Sequence, residues 1–214
     1  MGLSLIAAIG FAAYMETQSC HIPGWTDEHD QHIRNMIRLY WPHDQAADDG
    51  CIKVKSQIIT ESSFNPNAVS AVGARCLMQI MPSTQRDIER RMGWSGNIFE
   101  PDYCIRLGVF YMSRNFKYFS WDRTTECRWG VSVAGYNCGN GNVDKGQVYA
   151  GGARCWDEIQ PYMHYATGHH SVEVTNYVSR VRYHRRQGRD WAKDARKRGR
   201  WYSPRRYFAK ASNL

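Results

Sequence analysis

The reading turns on residues Gln57–Thr84, QIITESSFNPNAVSAVGARCLMQIMPST. An apolar helix ending in one carboxylate, Glu61, turns at Asn65-Pro66, crosses a loop of Ser, Gly, Gln and Met, and starts again as a helix at Pro82. Proline disfavours helical backbone at the residue before it, so the first helix should span about Cys51 to Ser63. Asp48-Asp49-Gly50 should cap it, with Cys51, Ile52, Ile58 and Ile59 as its buried stripe. Glu61 then lies in the last turn. The carbonyl end of a helix disfavours negative charge, and so does burial, so the Glu61 carboxyl is expected to stay protonated near neutral pH. That is the state a general acid requires. The plain alternative is a solvent-facing glutamate at a helix end.

Around this stretch, helical periodicity recurs and strand alternation is scarce, which predicts a mainly α chain. Thr26–Trp41 has Ile33, Met36, Ile37, Tyr40 and Trp41 at helical spacing, with acids in its first turn and Pro42 as its stop. Further helices are expected from Pro82 to about Met92, ended by Gly93, and from Pro101 to about Phe119. Another, capped by Asp122, should run from Thr124 to about Tyr136 and be followed by a loop, YNCGNGNV. Residues 144–172 read as a long surface loop with a short helical piece near Cys155–Tyr162. Glu173–Arg186 returns to helix on Val174, Tyr177, Val178 and Val181, and can continue to about Arg198. The 214 residues suit one sizeable core, which divides the chain into an apolar segment (1–25), a catalytic domain (26–186) and a basic aromatic tail (187–214).

The apolar run Gly2–Tyr14 is too short for a bilayer, which needs about 20 residues. No Lys or Arg precedes it, which argues against an export signal. A helix docked on the domain or on a partner is the preferred reading, with a membrane-surface anchor second. The net charge of +8 comes from the end of the chain: Arg180–Leu214 holds 13 Lys and Arg against Asp190 and Asp194. Such a tail is drawn to nucleic acid, anionic lipid or an anionic wall polymer, unless it is simply a solvated end. Seven cysteines without a C-x-x-C pair fit either up to three disulfides plus one thiol or small buried apolar residues. At least one disulfide is expected. His29, His32 and His43 lack further ligands at metal-binding spacing, so neither metal nor cofactor is expected.

Three blocks in order, ESSFNPNAVSAVGARCLMQIMPST, AGYNCGNGNV from Ala134 and EVTNYV from Glu173, resemble the soluble-type lytic transglycosylases. Those enzymes have the lysozyme-like fold, mainly helical with a bilobed cleft. The resemblance implies cleavage of peptidoglycan glycan strands between N-acetylmuramic acid and N-acetylglucosamine, leaving a 1,6-anhydromuramoyl end. Glu61 matches the single acid/base. Ser70 and Gln79 match residues contacting the muramoyl sugar, and Met81 one packing beside it. Tyr136 and Asn137 match the motif holding glutamate and substrate, with Tyr136 donating to Glu61 or to the acetamido group. Glu173 matches a structural acid and Tyr177 its aromatic neighbour. Loop-stabilising bonds are a rival and compatible reading for Ser70 and Gln79, and core packing is the preferred reading for Met78 and Met81. Cys76 stands where the family has glycine and Cys138 where it has alanine; glycine at 76 would suit positive φ. Both loops border the cleft, which suggests a Cys76–Cys138 pair.

Two rivals remain. A hydrolytic muramidase of the same fold needs a second carboxylate, for which Asp144 or Asp157 is available. Alternatively, the chain is chiefly a structural, DNA- or membrane-associated phage virion component. The preferred setting is local wall opening during phage genome delivery, with a periplasmic enzyme of a secretion or conjugation apparatus as the alternative.

Overall fold

The computed structural model describes residues 20–41 and 49–197. The apolar run 2–14, Pro42, His43 and the chain beyond 197 lie outside the described residues. The architecture is mainly α. Its only strand-like pairing among the described residues is two isolated bridges, Val69 with Arg75 and Arg75 with Ile80, inside the loop after Glu61.

Helix α1 (Asp30–Tyr40) buries Ile33, Met36 and Ile37 as the periodicity predicts. It starts four residues later than expected, because Glu28 and His29 form a turn closed by the Asp30 N–H on the Asp27 carbonyl. Helix α2 (Gly50–Ser62) departs further from expectation: in place of a stripe, every residue from Gly50 to Ile58 is buried. Its two buried lysines are satisfied individually. Lys55 Nζ donates to the Cys20 carbonyl at 2.9 Å, to Asp30 at 2.7 Å and to Asp27 at 3.3 Å. Lys53 pairs with Asp49 at 3.2 Å. Asp49, expected as a capping residue, makes no side-chain cap and spends its carboxylate on Lys53 and Arg185. Burial raises the Asp30 carboxyl against the pull of Lys55, and burial likewise depresses Lys53 against the pull of Asp49.

Proline 66 does not end α2. The helix stops at Ser62, because Ser63 and Phe64 are both left-handed (φ 52° and 64°), two non-glycine residues in a region costing about 1–2 kcal/mol each. Helix α3 (Pro82–Met92) ends at Gly93 in the left-handed cap, as read. Helix α4 (Pro101–Tyr118) packs on α1 and on α5 (Thr125–Cys138). The cap of α5 is Thr124, whose hydroxyl accepts from the Cys127 N–H, and not Asp122.

The segment read as the loop YNCGNGNV is two helices meeting at one residue. Helix α5 runs through Cys138, Gly139 turns with φ 84°, and α6 (Asn140–Tyr149) begins at once. Only glycine takes that backbone cheaply. Within 144–172 the helical piece expected near Cys155–Tyr162 is α7 (Trp156–Ile159) and the 3-10 turn after it, while the long loop expected around it is instead largely the rest of α6 before it and α8 (Met163–Thr167) with a second 3-10 turn after it. Helix α9 (Ser171–Lys197) crosses the proposed tail boundary at 187 without a break and packs along α2 and α5.

Helix α5 is the centre of the core: Trp129, Val131, Val133 and Ala134 have no exposure. Each aliphatic or aromatic side chain so buried stabilises by about 1.5–3 kcal/mol before entropy is counted. Gly108 on α4 lies against Met78, so near that a Cβ would stand 2.1 Å from its sulfur. The loop carrying Met78 thereby seats directly on α4. Disulfides join Cys20 to Cys51, Cys76 to Cys104 and Cys127 to Cys155. Cys138 is a half-buried thiol, which overturns the Cys76–Cys138 pairing. No helix among the described residues is long and apolar enough to cross a membrane.

Candidate active site

Glu61 sits in the last turn of α2, half-buried and open to solvent on one side. Its Oε1 accepts a 2.6 Å hydrogen bond from the Tyr177 hydroxyl on α9. The carboxyl is pushed up to about 8, chiefly because protein surrounds it. Tyr177 and the Arg180 cation pull it down, and Glu173 adds to the rise. The acid form therefore dominates at neutral pH, as the helix-end position suggested. Behind the pair, Gln57 on α2 is fully buried and its Nε2 donates to the Tyr177 oxygen at 3.4 Å.

The loop from 63 to 79 holds this arrangement in place. Ser63, Phe64, Cys76 and Gln79 all have positive φ, four of the five such non-glycine residues among those described. The glycine-like backbone foreseen at 76 is real (φ 68°), although a cysteine occupies it. Strain at this density is stored where structure elsewhere over-determines it. Here the restraints are the Cys76–Cys104 bond to α4, the Ser62 hydroxyl on the Leu77 carbonyl at 2.9 Å, and the Arg75–Ile80 ladder.

Other expected site residues divide. Ser70 Oγ accepts from the Ala74 N–H at 3.0 Å, and Gln79 Nε2 donates to the Ala68 and Cys76 carbonyls at 3.2 and 3.0 Å. Both thus shape the loop. Met78 is core, whereas Met81 is 38% exposed at the start of α3. Tyr136 does not reach Glu61: its hydroxyl donates to the Met78 carbonyl at 2.9 Å and its ring packs on Tyr111. Burial, reinforced by the nearby Glu61 charge, holds its phenol well above the ordinary value. The glutamate's donor is Tyr177, which the sequence offered only as a structural neighbour. Asn137 is exposed in the last turn of α5, and Glu173 is exposed in the first turn of α9 near His170.

The carboxylates considered as a second catalytic acid are engaged elsewhere: Asp144 accepts from Tyr118, and Asp157 pairs with Arg182. His32 bonds the Asp102 carbonyl at 2.8 Å. Two hollows have linings that do not include Glu61. One, of about 920 Å³, is lined by Tyr40, Tyr111 and Asn115; the other, of about 470 Å³, by Trp129, Arg182 and Lys193. The raised carboxyl of Glu61 beside its tyrosine donor is what selects the site. Sequence reading missed Gln57 and Arg180. The signals were present: Gln57 is one turn before Glu61 on α2, and Arg180 one turn after Tyr177 on α9.

The Transglycosylase SLT domain family matches residues 54–159, ending before the helix that supplies Tyr177. A membrane-bound lytic murein transglycosylase C of Mannheimia succiniciproducens is 35% identical over 57% of this chain and 38% of its own length. One from Actinobacillus succinogenes is 33% identical over 70% of this chain and 46% of its own. The chain thus spans less than half the length of these relatives. Among solved structures, the 70 kDa soluble lytic transglycosylase of Escherichia coli superposes with a TM-score of 0.61 at 20% identity, over 77% of this chain and 24% of that one. The lytic transglycosylase Slt of Pseudomonas aeruginosa gives 0.59 at 23% identity, over the same shares. The fold is shared with both.

Proposed function

The chain belongs to the transglycosylase SLT domain family, and from that premise we propose that it is a peptidoglycan lytic transglycosylase with Glu61 as its single acid/base. One observation carries the reading: a carboxyl held protonated to about pH 8 at the open end of a buried helix, beside a tyrosine donor.

In its acid form Glu61 gives its proton to the glycosidic oxygen between the muramoyl and glucosaminyl sugars. Ordinary glycosidases then need a second carboxylate as nucleophile or base. Here the muramoyl N-acetyl oxygen attacks C1 as the bond to the leaving sugar breaks. Glu61, now a carboxylate steadied by Tyr177 and Arg180, takes the proton from the 6-hydroxyl. That oxygen replaces the acetamido oxygen at C1 and closes the 1,6-anhydro ring. Ser70 and Gln79 keep the strained loop in shape, and exposed Met81 and Asn137 offer surface to the sugar.

The test is mass analysis of muropeptides released from purified sacculi. Anhydro ends from wild type and none from Glu61→Gln support the reading; free reducing ends would assign a hydrolase. That the relatives are membrane-bound lytic murein transglycosylases supports a periplasmic or membrane-associated setting for this chain. Wall opening from a phage particle, with the apolar start docked on neighbouring proteins and the basic tail on nucleic acid or lipid, is a narrower proposal. It rests on the apolar run and the tail charge alone.

A further inference from the structure

Gln57 has no role in the mechanism above, yet its position is unusual. It is completely buried in α2, one turn before Glu61, where an apolar side chain would fill the space without electrostatic cost. Its Nε2 faces the Tyr177 oxygen, and its Oε1 is buried with no partner. An unpaired buried acceptor is destabilising, so the fold carries a penalty at this position. The compensation lies in what the amide does to the tyrosine.

Tyr177 is itself buried and has a single hydroxyl proton. Two directions are open to a chain of three groups. In one, Gln57 N–H donates to Tyr177, which donates to Glu61 Oε1. In the other, protonated Glu61 donates from Oε1 to Tyr177, which donates away toward position 57. An amide presenting N–H to the tyrosine oxygen blocks the second direction, because two hydrogens would face each other. We propose that Gln57 is a positioning residue that fixes the polarity of the Gln57–Tyr177–Glu61 chain, keeping the acid's proton on Oε2, the oxygen without a partner among the described residues. A proton on Oε2 is available to the substrate oxygen. One on Oε1 would be turned inward and spent on the tyrosine. When Glu61 becomes the carboxylate, the same polarity leaves Tyr177 donating to it, which favours the base form for the second half of the reaction.

The inference rests on Glu61 being the proton donor, and the experiment separates failure of the two. Wild type, Gln57→Met, Tyr177→Phe and the double variant are compared for the pH dependence of anhydromuropeptide release, for kcat and KM, and for thermal unfolding. Gln57→Met removes the donor and the orphaned acceptor together. It should raise the unfolding temperature by about 2–6 °C while lowering kcat roughly five- to thirtyfold with little change in KM. It should also move the alkaline limb of the pH profile upward, since the carboxylate loses part of its support. In the Tyr177→Phe background, Gln57→Met should change neither kcat nor the limb, because its influence passes through the hydroxyl.

Unaltered kcat and limb in Gln57→Met, or an equal loss in the Tyr177→Phe background, would overturn the role of Gln57. If Gln57→Met does not fold, Gln57→Leu replaces it under the same criteria, and failure of both to fold would assign the residue to structure alone. Should Glu61→Gln stay active, the mechanism itself fails, whatever Gln57 does.

Discussion

Replacing Glu61 by glutamine should make the protein more stable, and only above a definite pH. The carboxyl titrates at about 8 in the folded chain against 4.5 in the unfolded one. A group whose folded value is raised contributes its stability in full below the unfolded value and loses it as pH climbs to the folded one. Each pH unit between the two is worth about 1.4 kcal/mol, so the upper bound is about 5 kcal/mol lost by pH 8. The side chain is open to solvent on one side, and screening there reduces the expected loss to about 2–3 kcal/mol. Glutamine imitates the neutral form at every pH. The two proteins should therefore unfold together near pH 4, separate through pH 5–7, and differ by about 4–12 °C from pH 8 upward. Thermal unfolding of both at pH 4, 6, 8 and 9.5 measures this directly. All other titrating groups cancel in the difference. A gap that does not vary with pH would mean that Glu61 is not held neutral by the fold, and the case for it as an acid at neutral pH would go with it.

Thiol titration of the unfolded, unreduced protein should find one thiol, Cys138, the other six cysteines being paired; in the folded protein at pH 7 that thiol should react slowly with iodoacetamide, since burial pushes it up to about 12. Lys55→Met should destabilise by about 3–5 kcal/mol, because it leaves the buried Asp30 carboxylate without its cation, and urea unfolding would show it.

What the sequence made legible was local. The start of α3 at Pro82 and its stop at Gly93 follow from a few adjacent residues, while the positive φ at Cys76 was suggested by the glycine that the family resemblance puts there. Helix α7 falls on the short helical piece expected near Cys155–Tyr162, whereas α8 escaped because five residues are too few to display a period. The join at Gly139 escaped because a glycine-rich run signals a turn without saying how short it is. The stripe expected on α2 was an error of tertiary origin: Lys53, Lys55, Ser56 and Gln57 look solvent-facing, yet α1 and α9 cover the helix, α1 bringing Asp30 to Lys55 and α9 bringing Tyr177 to Gln57, while Lys53 and Ser56 bond Asp49 and the Ile52 carbonyl nearby in sequence. Exchanging Tyr136 for Tyr177 as the glutamate's donor has the same source. Both tyrosines lie in recognisable blocks, but only the crossing of α9 over α2 decides which hydroxyl arrives.

The bond between Cys76 and Cys104 fastens the strained loop to α4, and thereby makes the surroundings of Glu61 depend on where the molecule folds. Where thiols are kept reduced while the chain folds the clasp does not form, and a cysteine in a backbone shape suited to glycine is left to hydrogen bonds alone. In an oxidising surrounding it shuts and the loop takes its working outline. The outline of the loop is thereby tied to the redox state of the medium in which the chain folds.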